Sequence, residues 1–211
     1  MTDDRQDNGA EGGTNIDFYF DFLSSYGYMG SCKIDELAAR FGRQVTWRPI
    51  LLGITIFKVM GLKAPLETPL KGDYIHIDSP RMAKYLGVPY KHPAQQPNPL
   101  NSARAYYWLR QRDASLAKDL AKALLVRQWA QGIDISSAEL VADEAAALGV
   151  ERQETLAALQ DPAVKQLLAD AVDQAIAEGV FGSPFFVVDG ERFWGVDRLP
   201  LVEHWLEHGS W

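Results

Sequence analysis

The sequence predicts an α/β domain interrupted by an all-helical block, and three observations predict it. Residues 16–50 read as strand, helix, strand. Residues 102–179 carry almost no strand signal. Strand character returns near residue 184 and is followed by one last amphipathic helix.

The elements follow in order. Residues 16–22 (IDFYFDF) alternate β-branched or aromatic residues with aspartate, a strand pattern. Tyr26, Met29, Ile34, Leu37, Ala38 and Phe41 recur at helical spacing, and Gly42 ends that helix over 26–41. Residues 44–50 (QVTWRPI) give a second strand. Residues 53–100 are crowded with proline and are expected to form a long, partly helical connection. Helices are expected near 102–112, 114–131, 136–148, 151–160 and 162–179. Ser136 with Glu139 reads as a capping box and Asp161-Pro162 as a helix start. Residues 184–188 (PFFVV), the Asp189-Gly190 turn and residues 191–194 form a hairpin. Asp197 then caps a helix that buries Leu201, Val202, Trp205 and Leu206. The domain limits that follow are a disordered leader over 1–14, a split α/β domain over 15–52 and 180–211, and an inserted helical domain over 53–179.

Composition removes several classes of function. The 211 residues carry a net charge of −7 with no dense basic run, which argues against nucleic acid as a partner. No apolar run approaches the roughly 18 residues needed to cross a bilayer, and residues 1–14 lack the apolar core of a signal peptide. A cytoplasmic protein with no membrane partner is the expectation. One cysteine, Cys32, excludes an intrachain disulfide; on the first helix it is expected to face the core. His76, His92, His204 and His208 lack metal-ligand spacing, so no metal site is expected.

Three segments then resemble one family. Residues 16–30 (IDFYFDFLSSYGYMG) look like the first strand, active-site turn and helix start of the DsbA-like branch of the thioredoxin superfamily. Residues 180–188 (VFGSPFFVV) look like its cis-proline loop, and residues 193–199 (FWGVDRL) like its last strand-to-helix turn. Within that branch they are most similar to the 2-hydroxychromene-2-carboxylate isomerases, relatives of kappa-class glutathione transferases. The resemblance implies a thioredoxin-like (DsbA-like) domain with an inserted all-helical domain, glutathione as cofactor, and a homodimer.

In thioredoxin-type folds the reactive group sits between the first strand and its helix, where redox members carry Cys-x-x-Cys. This chain has Ser24-Ser25-Tyr26-Gly27, so the chemistry is not disulfide exchange. A serine hydroxyl there can donate to a sulfur anion and favour the ionised thiol. By resemblance, Ser24 is the catalytic residue and the thiol is that of glutathione; taken alone, Ser24 reads as a plain N-cap. The resemblance further implies that Ser183 and Pro184 offer a backbone edge to the cysteinyl part of glutathione, and that Asp197 and Arg198 take its zwitterionic γ-glutamyl end. Lys58, Tyr85, Asn101 and Trp194 are the candidates for binding an aromatic carboxylate substrate. The other aromatics, including Trp47, Phe57, Tyr90, Tyr106, Trp108 and Trp129, are expected to be largely core. The chain departs from the family at Ser25, where proline is usual, at Gly27, often another serine, and at Leu62, which stands for a glutathione-touching asparagine.

These readings imply a glutathione-dependent isomerase. Two alternatives stay open: a kappa-type transferase that conjugates electrophiles, and a non-catalytic module that binds peptides along the proline edge.

Overall fold

The computed structural model describes residues 15–211, and at Ile56 and Phe57 the backbone alone. The leader expected over 1–14 lies outside the described residues. Strands β1 (Asn15–Phe20), β2 (Gln44–Pro49), β3 (Phe185–Val188) and β4 (Glu191–Trp194) form one sheet in the order β2-β1-β3-β4. β1 runs parallel to β2 and antiparallel to β3, and β3 and β4 form the hairpin. The hairpin turn is as expected: Asp189 and Gly190 both have positive φ, at 52° and 88°.

The alternation in β1 sets the core. Ile16, Phe18 and Phe20 are fully buried, and Phe18 lies opposite Trp47 on one side and Phe186 on the other. The Phe18 ring stacks on Phe186 at 5.4 Å and meets Trp47 edge-on at 5.2 Å. Each such buried aromatic contributes about 2–3 kcal/mol through apolar burial, several times an exposed ion pair such as Arg40 with Glu203. The opposite face carries Tyr19, Phe185, Ile50, Val180 and Ala175.

The helices differ from expectation in three places. The helix expected over 26–41 is two, α1 (Ser25–Ser31) and α2 (Ile34–Arg40), broken by a turn at Cys32-Lys33. Cys32 is therefore exposed and not in the core. The proline-rich connection holds a π turn (Ile54–Val59), a short 3-10 turn and a 16-residue helix, α3 (Lys71–Leu86), with Pro80 inside it. Helices α4 (Leu100–Arg110), α5 (Ala114–Trp129), α6 (Ala138–Ala147), α7 (Arg152–Gln160) and α8 (Pro162–Ala177) follow the predicted order. Asp161 caps α8 as expected, accepting from the Ala163 N–H at 2.8 Å. The cap of α6 is Ser137, whose Oγ accepts from the Leu140 N–H; Ser136 instead receives the Asn98 N–H. Finally, residues 196–198 form a 3-10 turn and α9 spans Leu199–His208, so Asp197 does not cap it. Pro200 sets that start, because a proline is tolerated only in a helix's first turn.

The helical block is fastened to the sheet by three hydrogen bonds from aromatic side chains. Tyr106 donates to the Trp47 carbonyl at 2.5 Å, Tyr107 to the Pro49 carbonyl at 2.8 Å and Trp129 to the Phe22 carbonyl at 2.9 Å. These buried rings hold the ends of β1 and β2, beside the turn that leads into α1.

Candidate active site

β1 ends at Phe20, and residues 21–24 turn the chain into α1. Ser24 is the N-cap, in extended geometry. Its Oγ accepts from the Gly27 N–H at 3.0 Å and donates to the Ser183 carbonyl at 3.0 Å. The Ser183 Oγ in turn accepts from the Asp21 N–H at 2.9 Å. The Ser183-Pro184 peptide is cis. Two glycines allow this approach. A Cβ on Gly27 would stand 2.5 Å from the Ser183 Oγ and 3.2 Å from the Ser24 Cβ, and one on Gly30 would stand 3.1 Å from the Pro184 Cβ. The first turn of α1 is thus closed onto the proline loop, with two serine side chains converging between them.

Beneath this turn lies Asp21, fully buried. Its carboxylate accepts from the Leu23 N–H at 2.9 Å and from the Leu52 N–H at 2.7 Å. Burial pushes its pKa up to about 6, against the downward pull of the two N–H groups. The carboxylate ties the turn before Ser24 to the chain leaving β2.

The far side of α1 rests on α3. Ser25 and Ser79 share a buried hydrogen bond of 3.1 Å, and the Tyr26 hydroxyl donates to Asp78 at 2.7 Å. Asp78 also accepts from Tyr74 at 3.2 Å and pairs with Arg81 at 3.4 Å. Ser25 therefore gives α1 a side-chain bond to α3 that a proline could not make.

The other candidates divide into two groups. Trp194 is 56% exposed, lies over the backbone of Gly182 and meets Phe181 edge-on at 4.9 Å. Asp197 and Arg198 are exposed, their charged groups 3.7 Å apart, on a turn that touches α1. Trp194 thus lies beside Ser183, and Asp197 and Arg198 lie beside α1. Among the described residues, no hydrogen bond or ion pair joins Lys58, Tyr85 or Asn101 to that group. Lys58 is exposed at the end of the π turn, and Tyr85 is 83% exposed on α3. Asn101 donates to the Ser136 carbonyl at 2.9 Å, which fastens the chain before α6. Trp47, Tyr106, Trp108 and Trp129 are core, as expected.

The model of the DSBA-like thioredoxin domain matches residues 15–207. The chain belongs to the DSBA-like thioredoxin family. Among curated relatives, this DSBA-like chain is 32% identical to a 2-hydroxychromene-2-carboxylate isomerase of Sphingobium xenophagum, over 90% of the chain and 97% of the relative. It is 30% identical to glutathione S-transferase kappa 2 of Caenorhabditis elegans, over 90% of the chain and 91% of the relative. Among solved structures, a 2-hydroxychromene-2-carboxylate isomerase superposes with a TM-score of 0.83 at 26% identity, covering 92% of this chain and 94% of that one.

Two features of this DSBA-like site escape a reading of its sequence. Asp21 sits between Phe20 and Phe22, and a carboxylate flanked by core aromatics at a strand end is the only hint of its burial. The Ser183 side chain, as distinct from its backbone, carries no signal at all, since its partner Asp21 is distant in sequence.

Proposed function

We propose that this protein is a glutathione-dependent isomerase acting on 2-hydroxychromene-2-carboxylate-like aromatic 2-oxo acids. The observation that carries the reading is the Ser24 hydroxyl, held between the Gly27 N–H and the Ser183 carbonyl where redox thioredoxin folds place sulfur. Glutathione, which Ser24, Ser183, Asp197 and Arg198 would hold, would supply a thiolate for reversible addition to a conjugated carbon, making a double bond rotatable.

The residues present suit that cofactor. The Ser183 N–H has no acceptor among the described residues, so it is open to the carbonyl of an extended peptide. A ligand amide that donates to the Ser183 carbonyl releases the Ser24 hydroxyl, which then turns its proton to the sulfur. Asp197 and Arg198 provide opposite charges for the γ-glutamyl ammonium and carboxylate. Trp194 offers an exposed ring beside this edge for an aromatic substrate, and Lys58 a cation for its carboxylate; Tyr85 and Asn101 are secondary candidates.

The experiment is to mix the purified protein with 2-hydroxychromene-2-carboxylate, with and without glutathione. Isomerisation that requires the thiol is expected, and an unchanged rate without it sinks the reading. A second reading, a kappa-type transferase, is favoured by the 30% identical relative. Conjugation of a halo-nitrobenzene faster than isomerisation would select it.

A further inference from the structure

We infer that the side chain of Ser183, and not only its backbone, donates a hydrogen bond to the bound thiolate, so that two hydroxyls hold the sulfur. This rests on the proposed use of glutathione. Ser24 has one O–H, and it donates to the Ser183 carbonyl; the same oxygen receives the Gly27 N–H. Ser24 therefore meets a ligand with its proton already engaged. Ser183 is the reverse case. Its Oγ receives the Asp21 N–H at 2.9 Å, and its own O–H finds no acceptor among the described residues. A hydroxyl fixed by an N–H, with a proton left to give, is a donor waiting for an acceptor.

The position of that oxygen supports the assignment. Ser183 Oγ and Ser24 Cβ lie 2.5 Å and 3.2 Å from the point where a Gly27 side chain would begin. Gly27 is the last residue of Ser24-Ser25-Tyr26-Gly27, the position at which a Cys-x-x-Cys motif carries its second sulfur. In this chain that space is closed to any side chain from α1, and the Ser183 hydroxyl fills it from the opposite loop. Ser183 is half-buried, which leaves it open to a ligand while limiting competition from water. The Asp21 N–H, by occupying one lone pair, restricts the directions in which the O–H can point.

The test measures the ionisation of the bound thiol directly. Glutathione binding is first established by calorimetry on the unmodified protein. The pKa of the bound thiol is then followed by the ultraviolet absorbance of the thiolate as pH is raised. Ser183→Ala is expected to raise that pKa by about one unit, a tenfold loss of thiolate at a fixed pH below it. The variant also strips the Asp21 N–H of its acceptor, so Ser183→Thr and Ser183→Val, nearly equal in volume, separate the hydroxyl from its bulk. Thr should keep the thiol pKa low and Val should raise it. Binding with the same thiol pKa in Ala, Val and unmodified proteins overturns the inference and leaves the glutathione reading intact. No binding to the unmodified protein overturns both.

Discussion

The two sides of the α1 helix are built by opposite means. On the side of Pro184, small groups and backbone make the contacts: Gly30 lies against Pro184, and Ser24, Gly27, Ser183 and the buried Asp21 are joined by hydrogen bonds of 2.7–3.0 Å. On the other side, residues 54–86 present large apolar groups to the outside: Val59, Met60, Leu62, Leu70, Tyr74, Ile77 and Tyr85 are all exposed. Leu70 is 85% exposed and even takes a positive φ of 67°. Backbone and hydroxyl geometry tolerates almost no change in atom position, whereas an apolar wall tolerates many changes in shape. In the proposed reaction the first side serves glutathione, and the second adds Lys58 and Tyr85 to the exposed Trp194 ring as groups for the aromatic substrate.

The largest expected effect breaks the first side. Ser24→Ala removes a donor to the thiolate, and kcat/KM for the glutathione-dependent isomerisation should fall about 100-fold, the loss typical of one donor to a developing charge. A rate within a few-fold of the unmodified protein would move the thiolate site elsewhere.

Next comes Asp21, whose pKa of about 6 exceeds the ordinary 3.8. Between those values the folded chain keeps a proton that the unfolded chain gives up. Its contribution to stability therefore declines as pH rises from about 4 to about 6 and is level above. The total decline is about 3 kcal/mol, from a shift of about two units at 1.36 kcal/mol each. In urea titrations across this range, the stability difference between Asp21→Asn and the unmodified protein should change by that amount in the variant's favour. A constant difference would mean the carboxyl is not raised.

Gly27→Ala drives a methyl group into the Ser183 Oγ and should cost about 1–3 kcal/mol of stability by the same measurement. The smallest effect sharpens the comparison from the other side. Leu70→Gly gives up almost no buried surface and relieves the positive φ, so it should stabilise the fold by about 1 kcal/mol without touching thiol ionisation. A loss of stability would show that Leu70 packs against something.

These same features explain what could be read from the chain. IDFYFDF and PFFVV were legible as strands because both are central in the sheet and packed on both faces, which selects runs of aromatic and β-branched residues. The Ser24 turn and the Asp189-Gly190 hairpin were legible because local chemistry decides them. α3 was hidden by Pro80, which marks a break in an isolated sequence yet is accommodated within this helix. The break at Cys32-Lys33 and the shifted start of α9 had no periodic signal, and a one-residue slip separates Ser136 from the true cap, Ser137. Within the site, the serine turn and the proline edge are local patterns, and the fold brings them together at Ser24 and Ser183. The roles of Asp21 and the Ser183 side chain are not local: the Asp21 carboxylate is fixed by the Leu52 N–H from beyond β2, and the Ser183 hydroxyl by the Asp21 N–H across more than 150 positions.

That long-range pairing also dictates when the protein can become whole. β1 emerges first from synthesis, yet its antiparallel partner β3 begins at Phe185, after the entire helical block. Until then one edge of β1 has no neighbour, and Phe18 has no Phe186 to cover it, the kind of exposed strand that invites aggregation. A helical block that folds early shelters the strand until the sheet closes. Ser183 is made only just before β3, so a chain stalled earlier has Ser24 but nothing to set opposite it.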